Sequence, residues 1–174
     1  AFKSALLYAQ KNSGSVNGEG LTYFLSGKME LTLSHFSLHN CNFITSKNFE
    51  NQFSLKVSSD NVLMDNISFD GGRNTYKNEI ESWKDFSQEN GIVSIYPTTD
   101  DLFYFVGLSK DAKMSFQNIQ MKNIHASSCL TVITYGLVLL DNLYFQNISN
   151  KTYHVYHSID EGEYQSGKTI VGSV

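Results

Sequence analysis

The chain is poor in residues that break or staple a fold. Among its 174 residues there is one proline, Pro97, and there are two cysteines, Cys41 and Cys129. A single proline argues for long uninterrupted strands, because proline is tolerated in sheets only at edges and bulges. Two cysteines are too few for a disulfide scaffold. Charge is also scarce: Asp, Glu, Lys and Arg make up 17% of the chain, below the roughly 25% of an ordinary soluble domain. Of the 13 basic residues only Arg73 is an arginine, and the formal net charge is −4. That balance gives no electrostatic footing for nucleic acid. The apolar runs, Leu137-Val138-Leu139-Leu140 among them, are far too short to serve as a transmembrane helix. No signal peptide is visible. The chain opens at Ala1-Phe2-Lys3 and stops at Ile170-Val171-Gly172-Ser173-Val174, inside a strand-like stretch. It therefore reads as a processed chain or a fragment of something longer.

What is present is apolar, aromatic and regular. Hydrophobic residues make up 41% and aromatics 13%, enough for one domain that buries roughly two thirds of its surface. Four segments share one pattern: Leu31 to Leu38, Val62 to Phe69, Met114 to Met121 and Val138 to Phe145. Each reads apolar-x-apolar, a polar pair, then apolar-x-apolar. The period of two makes each half a short strand with one buried face. The polar pair ends in His35, Asn66, Asn118 or Asn142 and marks a corner. Asparagine suits a corner because it tolerates left-handed backbone and hydrogen-bonds locally. The corner spacings are 31, 52 and 24 residues, so the shortest defines the unit and the others contain insertions. A further strand precedes each block: Tyr23 to Leu25, Phe53 to Val57, Phe103 to Phe105 and Leu130 to Val132. Glycine or small polar residues follow it, at Gly27, Ser58-Ser59-Asp60, Gly107 and Gly136.

Three strands and three corners per repeat resemble the right-handed parallel β-helix of the pectin-lyase-like superfamily, over residues 21–174. The resemblance implies an all-β solenoid of about four to five coils. Residues 1–20 then form an N-terminal strand or cap and a linker, with Ala5 to Ala9 either an earlier strand or a short capping helix. Insertions leave one corner at about 41–52, 71–101 and 149–167, with a short one at 124–129. Like positions stack in such a fold. His35, Asn66, Asn118 and Asn142 would form an interior ladder, and Asn40, Gly71, Asn123 and Asn147 a second polar column. The antiparallel β-sandwich, whose strands also alternate, is the rival architecture. Cys41 and Cys129 fall about three coils, or roughly 14 Å, apart, so they are expected to be unlinked.

Candidate sites lie on the insertions. The spacing of Asn78 and Glu81 predicts a short helix near 79–89. Aromatic residues on two insertions, Tyr76 and Trp83 on one and Tyr153 and Tyr156 on the other, are candidate glycan-stacking residues, or else simply pin loops to the wall. The catalytic constellations that the resemblance would imply are not found. Its lyases use an arginine base, and Arg73 sits on an insertion after Asp70-Gly71-Gly72. Its hydrolases use paired aspartates with Gly-His-Gly and Arg-Ile-Lys tripeptides, and only Asp100-Asp101 is paired here. No zinc, calcium, phosphate-loop or nucleophile-elbow pattern appears, so no metal or cofactor is expected. Three sequons begin at Asn66, Asn147 and Asn150. With Asn66 in an interior ladder, sugar is expected on Asn150, also on Asn147, and not on Asn66.

The reading is a non-enzymatic structural or adhesive module of a secreted or cell-surface protein. It would act through contact with other protein chains, self-association included, or with polysaccharide. The alternative is a polysaccharide lyase or glycoside hydrolase of the same fold.

Overall fold

The computed structural model describes residues 2–12, 14–25, 27–45, 54–71, 101–107, 109–124, 128–148, 151–157 and 168–172. The insertion helix expected near 79–89, Tyr76, Trp83, Arg73 and Asn150 lie outside the described residues. A helix, α1 (Phe2–Asn12), comes first. The strands are β1 (Ser15–Asn17), β2 (Thr22–Leu25), β3 (Lys28–Thr32), β4 (Phe36–Thr45), β5 (Ser54–Ser58), β6 (Asn61–Asp70), β7 (Phe103–Gly107), β8 (Lys113–Ile124), β9 (Ser128–Thr134), β10 (Leu137–Ile148), β11 (Lys151–Tyr156) and β12 (Lys168–Val171).

The described fold is all-β apart from α1, and every described strand pairing is parallel. One sheet has seven strands in the order β1-β4-β6-β8-β10-β12, with β2 also beside β4; the other has five in the order β3-β5-β7-β9-β11. From β3 onward the chain alternates between the sheets, and from β4 onward each strand lies beside the one two strands earlier. An antiparallel sandwich is thereby excluded.

The core lies between the two sheets and is filled by alternate residues of both. Phe105 of β7 meets Phe36 of β4 at 6.1 Å and Phe116 of β8 at 5.1 Å between ring centroids. Phe103 meets Phe43 and Phe69 at 6.5 and 5.9 Å. These rings come from strands that are remote in sequence, so the aromatic content is spent on joining the sheets. At one end α1 packs Phe2, Leu6 and Ala9, one helical stripe, onto this core. The Phe2 ring lies 4.8 Å from Phe43 and 5.5 Å from Tyr23. Of the two alternatives for Ala5 to Ala9, the helix is therefore the one formed. The turn-rich stretch after it is more than a linker: Ser15–Asn17 pairs with β4 and Val16 is buried.

The polar pair has a definite mechanical role. In a plain strand Met64 and Asn66 would share a face. Both Met64 and Ile67 point inward, so one residue must absorb half a step. Asn66 does so with φ +55°, and Asn40, Asn118 and Asn142 do the same in β4, β8 and β10. The strand bends there, and two successive side chains, Asp65 and Asn66, face outward.

Strand register corrects the expected ladder in two ways. Cys41 of β4 is level with Ile67, and His39 with Asp65, so the rung beside Asn66 is Asn40 and not His35. His35 is an exposed residue ahead of β4. The block Phe36-Ser37-Leu38-His39-Asn40-Cys41-Asn42-Phe43 fits the pattern as well as Leu31 to Leu38 does, and pairing selects it. Asn40 accordingly leaves the second column, where Gly71 and Asn147 flank Asn123. The ladder is also external. Asn66, Asn118 and Asn142 are exposed, because the bend turns the polar pair outward.

The amides nonetheless bond along the stack. Asn40 donates to Asn17 Oδ1 at 3.1 Å, Asn66 to Asn40 Oδ1 at 2.8 Å and Asn142 to Asn118 Oδ1 at 2.7 Å. Asn118 donates to Asp65 Oδ1 at 2.8 Å rather than to Asn66. In the second column Asn147 donates to Asn123 Oδ1 at 3.0 Å and Asn123 to Asp70 Oδ1 at 2.9 Å. Exposure lowers the worth of each bond, so the left-handed backbone carries much of the cost of substitution. Asn118→Leu is expected to cost about 2 kcal/mol. Asn118→Gly, which keeps the backbone and loses only the amide, should cost about 1 kcal/mol. Equal urea midpoints for the two variants would contradict this division.

Three expected insertions are partly strand. Residues 41–45 complete β4, the short one at 124–129 holds the end of β8 and the start of β9, and residues 151–156 form β11 beside β9. Cys41 and Cys129 are free and buried. Cys41 takes the inward place level with Ile67, and its Sγ donates to the His39 carbonyl at 3.2 Å. Burial pushes the Cys41 thiol up to about 11, offset in part by a backbone hydrogen bond from Gly18, and the Cys129 thiol up to about 12. An exposed thiol ionises near about 8.5. Stability from the protonated buried thiols is thus complete below that pH and is lost as pH rises toward the folded values. A Cys41→Ala, Cys129→Ala double variant should show a flatter fall of stability above pH ~9. In the native protein a thiol reagent at neutral pH should label neither cysteine, and in denaturant both.

Candidate functional site

The outer face of the five-stranded sheet carries the described cavity with convergent side chains. Alternation dictates who reaches it. On β7, Phe103 and Phe105 are fully buried, so Tyr104 points outward. On β9, Leu130 and Val132 face the core, and Thr131 and Ile133 face out. On β11 the parity is the same: Tyr153 and Val155 pack against the core, while His154 and Tyr156 lie on the opposite face. Pairing then sets these residues in rows. Tyr104, Thr131 and His154 are level on adjacent strands, as are Val106, Ile133 and Tyr156.

The result is a groove of about 300 Å³ lined by Asp101, Tyr104, Ser128, Thr131, Ile133, His154 and Tyr156. Asp101 and Ser128 close one end, just before β7 and at the start of β9. Their backbones are tied: Ser54 Oγ donates to the Asp101 carbonyl at 2.8 Å, and the Leu102 amide donates to the Ser128 carbonyl at 3.0 Å. The His154 and Tyr156 rings lie against each other, 3.8 Å between centroids and 35° between planes. Tyr156 is 43% exposed, so its ring is available to a ligand. Beside the groove, Lys56 of β5 holds its Nζ 5.8 Å from the Tyr104 ring centroid.

The polar inventory mixes donors and acceptors. Burial raises the Tyr104 phenol above its ordinary value, and the charges of Asp101 and Tyr156 raise it further. Tyr104 therefore stays a hydroxyl donor at neutral pH. Ser128 Oγ donates to the Leu130 carbonyl at 3.0 Å and keeps its lone pairs for a ligand. Thr131 is 4% exposed and lines the groove. Aromatic faces beside a few fixed hydroxyls and one carboxylate form a surface that holds polyhydroxylated ligands with apolar ring faces.

Of Tyr153 and Tyr156, the two described residues among those expected to stack on glycan, Tyr156 lines the groove. Tyr153 is turned inward and stacks on Phe145, 6.3 Å between centroids and 28° between planes; one residue of parity separates the two roles. Tyr104, His154 and Asp101 were not singled out from sequence as ligand contacts. The signal that could have found Tyr104 is a tyrosine alternating with two phenylalanines in β7. Asp101 is the described member of the aspartate pair, and no second carboxylate lines the groove among the described residues. Paired-carboxylate hydrolysis is thus not assembled by these residues. No cluster of three or more metal-ligating side chains occurs among the described residues, and no described helix is long and apolar enough to cross a membrane. Asn147 is exposed, as a sequon should be. Asn66 is equally exposed, so shielding inside the fold does not exclude sugar there. Compared with family models, curated proteins and solved structures, the chain has no match.

Proposed function

We propose that this chain is a saccharide-binding module built on a right-handed parallel β-helix of the pectin-lyase-like kind, acting by contact rather than by turnover. The solenoid reading draws on the alternation of strands between two parallel sheets and on the side-chain ladder. Right-handedness follows the steric rule for parallel strands joined by a crossover. A secreted or cell-surface location suits such a module and is part of the proposal.

The groove on the five-stranded sheet is the observation that carries the function. Tyr104 and His154 flank the buried Thr131 on adjacent strands, with Tyr156 and Asp101 toward the two ends of the groove. Stacking of a sugar ring on an exposed tyrosine contributes on the order of 1 kcal/mol, and the fixed hydroxyls orient it. Binding to an immobilised glycan panel tests the reading. Tyr156→Ala should weaken binding about fivefold without changing the melt, because its ring lies outside the core. A panel with no bound glycan refutes the proposal. Release of reducing ends or of unsaturated sugar from any bound glycan would instead establish the polysaccharide-cleaving alternative.

A further inference from the structure

We infer that the groove selects neutral saccharides bearing adjacent hydroxyls, with Asp101 as the specificity-determining residue. The inference rests on the saccharide-binding reading and names its ligand class. Two observations carry it. Asp101 lines the groove, and the hydrogen bond it accepts from Ser54 uses its main-chain carbonyl, not its carboxylate. An ionised carboxylate accepts at about four lone-pair sites and donates none, which matches two neighbouring hydroxyls of one sugar ring.

The other walls complete that match. Thr131, 96% buried, and Tyr104 supply hydroxyls at the floor and side, and Ser128 retains acceptor capacity while donating to Leu130. An oligosaccharide that stacks on Tyr156 and runs along the groove thus meets donors for its oxygens at Thr131 and Tyr104 and an acceptor for its hydroxyl protons at Asp101, at the other end. A uronic or sulfated sugar in the same place would bring its negative charge against Asp101 in a partly desolvated groove, where like charges repel more strongly than in water. Among the described lining residues there is no Lys or Arg to neutralise it. Lys56 lies beyond Tyr104, outside the groove lining.

The test is calorimetric titration of the intact chain with neutral gluco-, manno-, xylo- and galacto-oligosaccharides. Oligogalacturonate and a sulfated galacto-oligosaccharide of equal length serve as the charged probes. The wild type should bind at least one neutral series about tenfold or more tightly than either charged one. Asp101→Asn, nearly isosteric and leaving the Ser54 bond in place, should lose about tenfold on the neutral ligand and narrow the ratio, since a hydrogen bond to a charged group exceeds its neutral counterpart by about that factor. Asp101→Lys should invert the preference. Equal or tighter binding of the charged sugars by wild type, or unchanged neutral binding by Asp101→Asn, overturns the inference. If Tyr156→Ala still weakens binding in that case, the saccharide-binding reading survives alone; if wild type binds no probe, both fall.

Discussion

Gly136→Ala is expected to cost about 4 kcal/mol or more, at the extreme of single substitutions, and to lower Tm by roughly 10 °C. Gly136 lies in the turn between β9 and β10. A Cβ built on it would overlap the Ala112 carbonyl oxygen and lie 2.6 Å from the carbonyl carbon and 2.8 Å from the amide nitrogen of Ala112. All three atoms are backbone, so no side chain can rotate away. The Ala112 carbonyl also accepts the Leu137 amide at 2.8 Å, a bond that holds one turn of chain against the preceding one. Relief of the overlap would therefore open the stack. Gly136 is not in the left-handed region, whereas Gly27 is, at φ +80°, with nothing near its would-be Cβ. Gly27→Ala should cost only about 1–2 kcal/mol. Thermal melts of the pair would separate a forbidden neighbour from a disfavoured backbone, and a Gly136→Ala melt at the wild-type temperature would show that this turn packs differently.

Phe105→Ala should cost about 3–5 kcal/mol. Phe105 is fully buried and its ring stands between Phe36 and Phe116 of the opposite sheet. On its own sheet it is level with Val57 and Val132. Removal of the ring leaves a cavity that neighbours on two hydrogen-bonded sheets cannot close by a small shift. The urea midpoint should fall with little change in m, because the buried surface as a whole is retained. Phe105→Leu, which refills most of the volume, should recover the larger part. A midpoint shift below about 1 kcal/mol for the alanine variant would mean that the sheets are not held together at this ring.

The inward positions of β6, β8 and β10 follow from the sequence itself. Val62, Met64, Ile67 and Phe69 alternate around a polar pair, and the same arrangement recurs at Met114 to Met121 and at Val138 to Phe145, whose last ring is partly buried against the core. Alternation is a local property of extended chain, and the left-handed tolerance of asparagine is a property of one residue. Both are therefore written in single segments. Parallel stacking, the free thiols and the Asn118–Asn142 bond follow from laying such segments side by side.

Contacts between segments decided the rest. Leu31 to Leu38 and Phe36 to Phe43 both satisfy the pattern, and only pairing with β6 chooses the second and replaces His35 by Asn40 as the rung. Whether the polar pair faces in or out depends on the bend at the left-handed residue, which pattern alone leaves open. The groove is the clearest case. Asp101 and Tyr104 come from one pass of the chain and Thr131 and Tyr156 from two others, and no single strand's pattern marks them as parts of one site. Hydrogen-bonded register between β7, β9 and β11 sets them level. The parity of β11 turns Tyr156 out and Tyr153 in, because burying Tyr153 and Val155 against Phe145 and the core removes more apolar surface from water than the reverse.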